Sequence, residues 1–163
     1  MSWKKVIIIT IAILSVVLLY LLPTPNTQYR EVTIESKVEN ANLSVEEKTK
    51  KALEIIQGGG APMEGIKLLL EVIQEDPNNA EALYYLGDFS MKTGQFEKAI
   101  SRFEVLTKIQ PKNDRFWYLL AQSYEMNKNE EQAIVAYQEF LKYGKDEIII
   151  QTVQDKIKTL QQN

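Results

Sequence analysis

Two patterns of apolar residues divide the chain. From Val6 to Leu22 the residues run VIIITIAILSVVLLYLL, and only Thr10, Ser15 and Tyr20 carry polar atoms. Beyond Ser44 the apolar positions instead recur every three or four residues, as on one face of a helix. Turn residues cut this second region into seven predicted helices, at about 45–57, 62–75, 80–92, 96–109, 114–127, 130–143 and from Asp146 to about 161. The breaks are Gly58-Gly59-Gly60, Asp76-Pro77-Asn78-Asn79, Thr93-Gly94-Gln95, Gln110-Pro111-Lys112-Asn113 and Gly144. Ser44 and Glu47 fit a capping box, in which each side chain accepts a backbone N–H at the helix start. Pro62 suits a first helical turn, and Asp146 suits an N-cap.

The helices repeat in pairs. Pro77 is followed 34 positions later by Pro111, and the same step carries Leu83 onto Trp117, Gly87 onto Ala121, Ala99 onto Ala133 and Phe103 onto Tyr137. Small residues recur where two antiparallel helices must approach, and large apolar ones recur between them. A helix pair of this size cannot bury both its faces alone, so neighbouring pairs must stack.

The pattern resembles the tetratricopeptide repeat family, whose 34-residue unit favours Trp, Leu, Gly, Tyr, Ala, Phe, Ala and Pro at eight positions. Residues 80–113 supply Leu83, Leu86, Gly87, Ser90, Ala99, Phe103, Leu106 and Pro111. Residues 114–147 supply Trp117, Leu120, Ala121, Tyr124, Ala133, Tyr137, Phe140 and Lys145. Residues 46–79 fit less closely, with Leu53 where a small residue is preferred, but Gly65, Leu69 and Pro77 fall in place. In the last helix Ile148, Ile149, Val153, Ile157 and Leu160 form an apolar stripe opposite Gln151, Gln154, Asp155, Lys156, Lys158 and Gln161, as in the solvating helix that commonly ends such arrays.

The resemblance implies a groove lined by the first helices of successive units, which in this family binds peptides or partner helices. Carried over position by position, the groove takes Glu47, Lys50 and Glu54, then Glu81, Tyr84, Asp88 and Met91, then Arg115, Tyr118, Gln122 and Glu125. The candidate partner-binding set is Lys50, Tyr84, Asp88, Met91, Arg115, Tyr118 and Gln122. Tyr84 and Tyr118 are large amphipathic rings at equivalent positions and are not required by the core within a repeat, so they are expected to be binding anchors. Packing sideways between helices is the alternative role for these two rings. A subset of the family clamps a C-terminal carboxylate with Lys, Asn and Arg. Here Lys50 and Arg115 agree with that clamp, whereas Glu54, Tyr85 and Leu119 do not, and Glu54 would repel the ligand.

The N-terminal run is read as an uncleaved membrane anchor. As a helix, its residues span roughly 25 Å, a little less than the ~30 Å hydrocarbon core. Trp3 and Tyr20 flank it as interfacial rings. It is longer than a usual signal-peptide core and no A-x-A-like cleavage site follows it. Lys4 and Lys5 precede it, so the positive-inside rule places the N-terminus in the cytoplasm and the remainder, in a bacterium, in the periplasm. Pro23 and Pro25 end the run, and residues 23–43 read as a solvated linker. An alternation of Val32 and Ile34 with Thr33 and Glu35 leaves a short partner-pairing strand as the alternative for that stretch.

Charge and composition narrow the chemistry. The net charge is −3, and Lys4 and Lys5 contribute the only charges before residue 23. The rest of the chain is therefore more acidic still and shows no basic patch, which disfavours nucleic acid. Histidine and cysteine are absent, removing the commonest general base, thiolate nucleophiles and Cys-based zinc sites. The carboxylate pairs Glu130/Glu131 and Asp146/Glu147 sit at helix starts, where they complement the helix dipole. Gly58-Gly59-Gly60 lacks the preceding strand and following Lys-Ser/Thr of a phosphate loop. The expectation is an all-α chain with no enzymatic activity and no cofactor. It comprises an anchor at 1–22, a linker at 23–43 and a superhelix of about three repeats plus a capping helix at 44–163. Its partner is a protein or peptide, held at the envelope side of a bacterial inner membrane. Fixation in a larger membrane complex by the tether or the convex face is the rival role, and homo-oligomerisation is left open.

Overall fold

The computed structural model describes residue 3, residues 42–59 and residues 61–162. The anchor at Val6–Leu22 and nearly all of the linker lie outside the described residues. Among the described residues no helix is long and apolar enough to cross a membrane. Ser44–Asn163 form one compact unit, separate from Met1–Leu43.

Within this unit the chain folds into α1 (Val45–Gln57), α2 (Pro62–Glu75), α3 (Ala80–Lys92), α4 (Phe96–Ile109), α5 (Asp114–Met126), α6 (Glu130–Tyr143) and α7 (Glu147–Leu160). Local chemistry explains the starts. Ser44 Oγ accepts from the Glu47 N–H at 3.2 Å, and the Glu47 carboxylate accepts from the Ser44 N–H at 2.8 Å. Asn79 caps α3 through the Ala82 N–H, and Asp146 caps α7 through the N–H groups of Ile148 and Ile149. Pro62 begins α2, where its missing N–H costs nothing.

The helices pair as antiparallel hairpins, α1 on α2, α3 on α4 and α5 on α6, and each hairpin packs on the next through α2–α3, α4–α5 and α6–α7. Burial shows how α3 serves two neighbours. Ala82 and Leu86 join Ala52, Leu69 and Val72 of the first hairpin, while Leu83 joins Phe103, Leu106, Phe116 and Leu120 on the other side. Stability in such a stack comes from each hairpin and its nearest neighbours. Small residues allow the close approach: a Cβ added at Gly87 would lie 2.7 Å from two ring carbons of Phe103.

The turns repeat as faithfully as the helices. After α3, the N–H of Gly94 reaches Met91 O and that of Gln95 reaches Ser90 O; after α5, Lys128 and Asn129 make the equivalent bonds to Glu125 O and Tyr124 O. Both turns need a left-handed residue. Gly94 has φ +72°, and Lys128 takes φ +60° in its place, as the one non-glycine with positive φ among the described residues.

Two expectations about the core need correction. Phe116, not Trp117, is the buried aromatic of α5; Trp117 is half-buried and donates its indole N–H to Pro111 O at 2.8 Å. Phe116 faces back toward α3, and a helix flanked on two sides buries that face as fully as the one toward its own partner. In α7 only Val153 and Ile157 are buried, whereas Ile148 is 80% exposed. Lys48 of α1 is buried as well, with its ammonium 2.5 Å from Glu75 Oε1.

Candidate functional site

The first helices α1, α3 and α5 carry every groove residue expected from the sequence, and the structure sorts them into three surroundings. Between α1 and α3 lies an open polar cleft of about 400 Å³, lined by Lys50, Glu54, Gln57 and Glu81 among others. Lys50, Glu54 and Glu81 are exposed. Their charged groups are reachable by a ligand. Glu47 is engaged in the cap of α1, and its carboxyl is held below the ordinary range by the Ser44 backbone and side-chain hydrogen bonds.

Between α3 and α5 the surface is closed by a side-chain stack. The Arg115 guanidinium lies over the Tyr84 ring, 4.6 Å from its centroid, and donates a hydrogen bond to the Tyr84 hydroxyl. Tyr84 also meets Tyr85 edge-on at 5.3 Å and Phe116 at 6.3 Å. Cation–π contact of this kind favours Arg over Lys because the planar guanidinium stacks. Two candidate binding residues thus hold each other across adjacent repeats. Nearby, Asp88 pairs with Lys92 at 2.7 Å, and Met91 Sδ accepts from Ser123 Oγ at 3.0 Å.

Tyr118 departs from the expectation of an anchor surplus to the core. Its ring packs against Tyr137 and Phe140, with centroids 6.1 and 5.5 Å away, so it serves the α5–α6 hairpin. Gln122, one turn further along α5, is half-buried.

The third region was not anticipated. A cleft of about 430 Å³ opens between α5 and α7, lined by Glu125, Thr152, Lys156 and Thr159. Here the Lys156 ammonium reaches Glu125 Oε1 at 2.6 Å, and Tyr137, fully buried, donates to Glu125 Oε2 at 2.6 Å. Burial pushes the Glu125 carboxyl up, but hydrogen bonds from Lys156 and Tyr137 and the Lys156 charge outweigh it, and the net shift is downward. Tyr137 moves upward, through burial and then through its bond to Glu125. One carboxylate therefore joins α5, α6 and α7. Its discovery was within reach of the sequence: stepping 34 positions from Tyr118, Gln122 and Glu125 gives Thr152, Lys156 and Thr159. Treating α7 only as a cap hid that step. Among the described residues no cluster of side chains has the geometry to hold a metal ion.

Comparison with known proteins agrees with this architecture. The sequence matches the tetratricopeptide repeat family over residues 59–123 and again over residues 116–143. No curated protein matches it. Among solved structures it is similar to MamA AMB-1, with 17% identity and a TM-score of 0.64 over 72% of this chain and 62% of that one. MamA 41-end from Desulfovibrio magneticus RS-1 gives 21% identity and a TM-score of 0.59, over 73% of this chain and 71% of that one. A further crystal structure of MamA gives 22% and 0.64, over 77% and 71%. The chain thus spans about 62% of the length of MamA AMB-1, and at these identities the likeness is one of fold.

Proposed function

The chain belongs to the tetratricopeptide repeat family, whose members are protein–protein interaction modules, and from that premise we propose that it is a membrane-anchored adaptor. It holds a partner protein on the face formed by α1, α3, α5 and α7. The observation that carries this reading is the arrangement of that face. Two polar clefts, one at Lys50, Glu54 and Glu81 and one at Glu125 and Lys156, flank the fixed Arg115–Tyr84 stack. Exposed charges beside a preorganised aromatic and arginine suit recognition of a polypeptide segment. With neither histidine nor cysteine in the chain, the role is binding and not catalysis.

In the same reading Val6–Leu22 crosses a bacterial inner membrane, Lys4 and Lys5 stay in the cytoplasm and residues 44–163 face the periplasm. The protein then acts as a scaffold or accessory subunit at the envelope side. This rests on the apolar run and its two lysines.

A single experiment addresses partner and side together. The full chain is expressed in cells treated with a crosslinker that enters the periplasm but does not cross the inner membrane. A specific captured protein is expected, and it should be lost when Lys50→Glu and Glu81→Lys are combined, since both side chains are exposed and the fold is spared. Capture that needs cell lysis would refute the proposed side. Capture undiminished in the variant would refute the face and favour a chain fixed in a larger complex through its tether or its other surface.

A further inference from the structure

A third cleft, of about 460 Å³, lies between the second helices α4 and α6 with α5 between them. This is in the range of small-ligand and side-chain pockets. Its walls include the rings of Trp117 and Tyr124, with Leu120, Ala136 and Val135 alongside. The polar end of each ring is already occupied. The Trp117 indole N–H is bound to Pro111 O at 2.8 Å, and the Tyr124 hydroxyl to Glu104 Oε1 at 2.5 Å. Burial, and then the Glu104 bond, push the Tyr124 hydroxyl up to about 12, so it stays a donor. Both rings are packed partly on the core and held in position, and the surface each presents to the cleft is open to an apolar group at little entropic cost. Val135, in the middle of α6, is 58% exposed on this cleft although its neighbours Ala136 and Tyr137 are buried.

The rim carries a net negative charge. Glu104 and Glu131 face one ammonium, Lys108, and neither Glu131 nor Lys108 has an ion-pair partner among the described residues. We propose that this cleft docks a segment of a partner protein that presents a leucine or isoleucine beside a lysine or arginine. The aliphatic side chain fills the space between Trp117 and Tyr124, and the basic group answers the rim carboxylates. A second copy of this chain is a poorer occupant. The most exposed isoleucine among the described residues, Ile148, follows Asp146 and Glu147, which the rim would repel. The site is separate from the first-helix face and stands or falls independently of it.

The test uses the full chain with Trp3→Phe, leaving fluorotryptophan at Trp117 as sole reporter, in nanodiscs of zwitterionic lipid read by fluorine NMR. The probes are two capped peptides, Ala-Lys-Leu-Leu-Lys-Ala and its counterpart with glutamate in place of lysine. The lysine peptide should give a saturable shift of the Trp117 resonance. The glutamate peptide should bind about tenfold more weakly, equivalent to about 1.4 kcal/mol. The shift should vanish in Val135→Glu and in the milder Val135→Ser, and survive Lys50→Glu. No saturable shift, equal affinity for the two peptides, or binding that persists in both Val135 variants would overturn the proposal. So would a shift that grows with protein concentration alone and is lost in the Val135 variants, since it would give the cleft to a second copy.

Discussion

Lys128 offers a direct measurement of how much one repeat loses by departing from its neighbour. It stands 34 positions after Gly94, in the same turn, with the same two backbone bonds and a φ of +60° against +72°. A side chain in the left-handed region costs roughly 1–2 kcal/mol in contact between Cβ and the carbonyl oxygen. Lys128→Gly relieves that cost but gives the unfolded chain more freedom, an opposing effect of about 0.4–1 kcal/mol. Lys128 is exposed and its side chain makes no hydrogen bond or ion pair among the described residues, so little else is lost beyond a weak attraction to the end of α5. The net expectation is a gain of about 0.5–1 kcal/mol. In a domain of this size that is a rise in melting temperature of roughly 2–6 °C. Lys128→Ala is the decisive control, because it removes the charge and keeps the Cβ. Thermal unfolding followed by far-UV circular dichroism should show stabilisation with Gly and none with Ala. Equal stabilisation by both would refute the backbone argument and point to charge.

Two further perturbations test the packing. Gly87→Ala sets a methyl 2.7 Å from two ring carbons of Phe103, where contact favours about 3.5–4.0 Å. Overpacking of about 1–3 kcal/mol exceeds the helix-propensity gain of about 1 kcal/mol, so urea unfolding should show a net loss of about 1 kcal/mol, with a smaller effect of the same substitution in a Phe103→Leu background. An equal effect in both backgrounds would exclude the ring as the obstacle. Glu125→Gln should loosen α7, costing about 1 kcal/mol after allowance for solvent screening and raising hydrogen exchange of the α7 amides. Because the folded carboxyl lies below its usual value of 4.5, its contribution is complete above that pH and fades as the pH falls through the lower folded value. The wild-type chain should thus lose α7 protection on acidification, and Glu125→Gln should show a flatter profile; parallel profiles would remove Glu125 as the anchor.

The helices and their caps were legible because their signals are local. The capping box at Ser44 and Glu47, the N-cap at Asp146 and the breaks at the proline and glycine turns each act within four residues, and all seven predicted C-terminal boundaries agree to within a residue with the structure. What lay beyond the sequence was set by neighbours across repeats. Phe116 and Trp117 are adjacent, both aromatic and both compatible with a helical stripe. Only the position of α3 decides that Phe116 is covered and Trp117 left at the rim of a cleft. Tyr84 and Tyr118 are likewise equivalent in the repeat, yet one meets an arginine of the next repeat and the other the core of its own hairpin. At the equivalent position in α7 stands Thr152, whose hydroxyl donates to Ile148 O. Equivalent positions share a backbone environment, but the identity of the next repeat's side chain decides what each does.

The same reasoning accounts for the burial pattern of α7. Extending the 34-residue step places Gln151, Gln154, Asp155 and Lys158 where α5 has Trp117, Leu120, Ala121 and Tyr124. Those α5 positions face its partner α6 and the cleft beside it; in α7 all four are polar and exposed. The positions that face backward are different. Ile150, Val153 and Ile157 stand where α5 has Phe116, Leu119 and Ser123, and they pack on the preceding repeat. A third set, Thr152, Lys156 and Thr159, continues the first-helix face and lines its last cleft. The helix therefore has the backward and groove sides of a first helix but not the forward one. It packs its apolar side on the preceding repeat while lengthening the face proposed to hold a partner, and the Lys156–Glu125–Tyr137 contact ties that added length to the repeats before it.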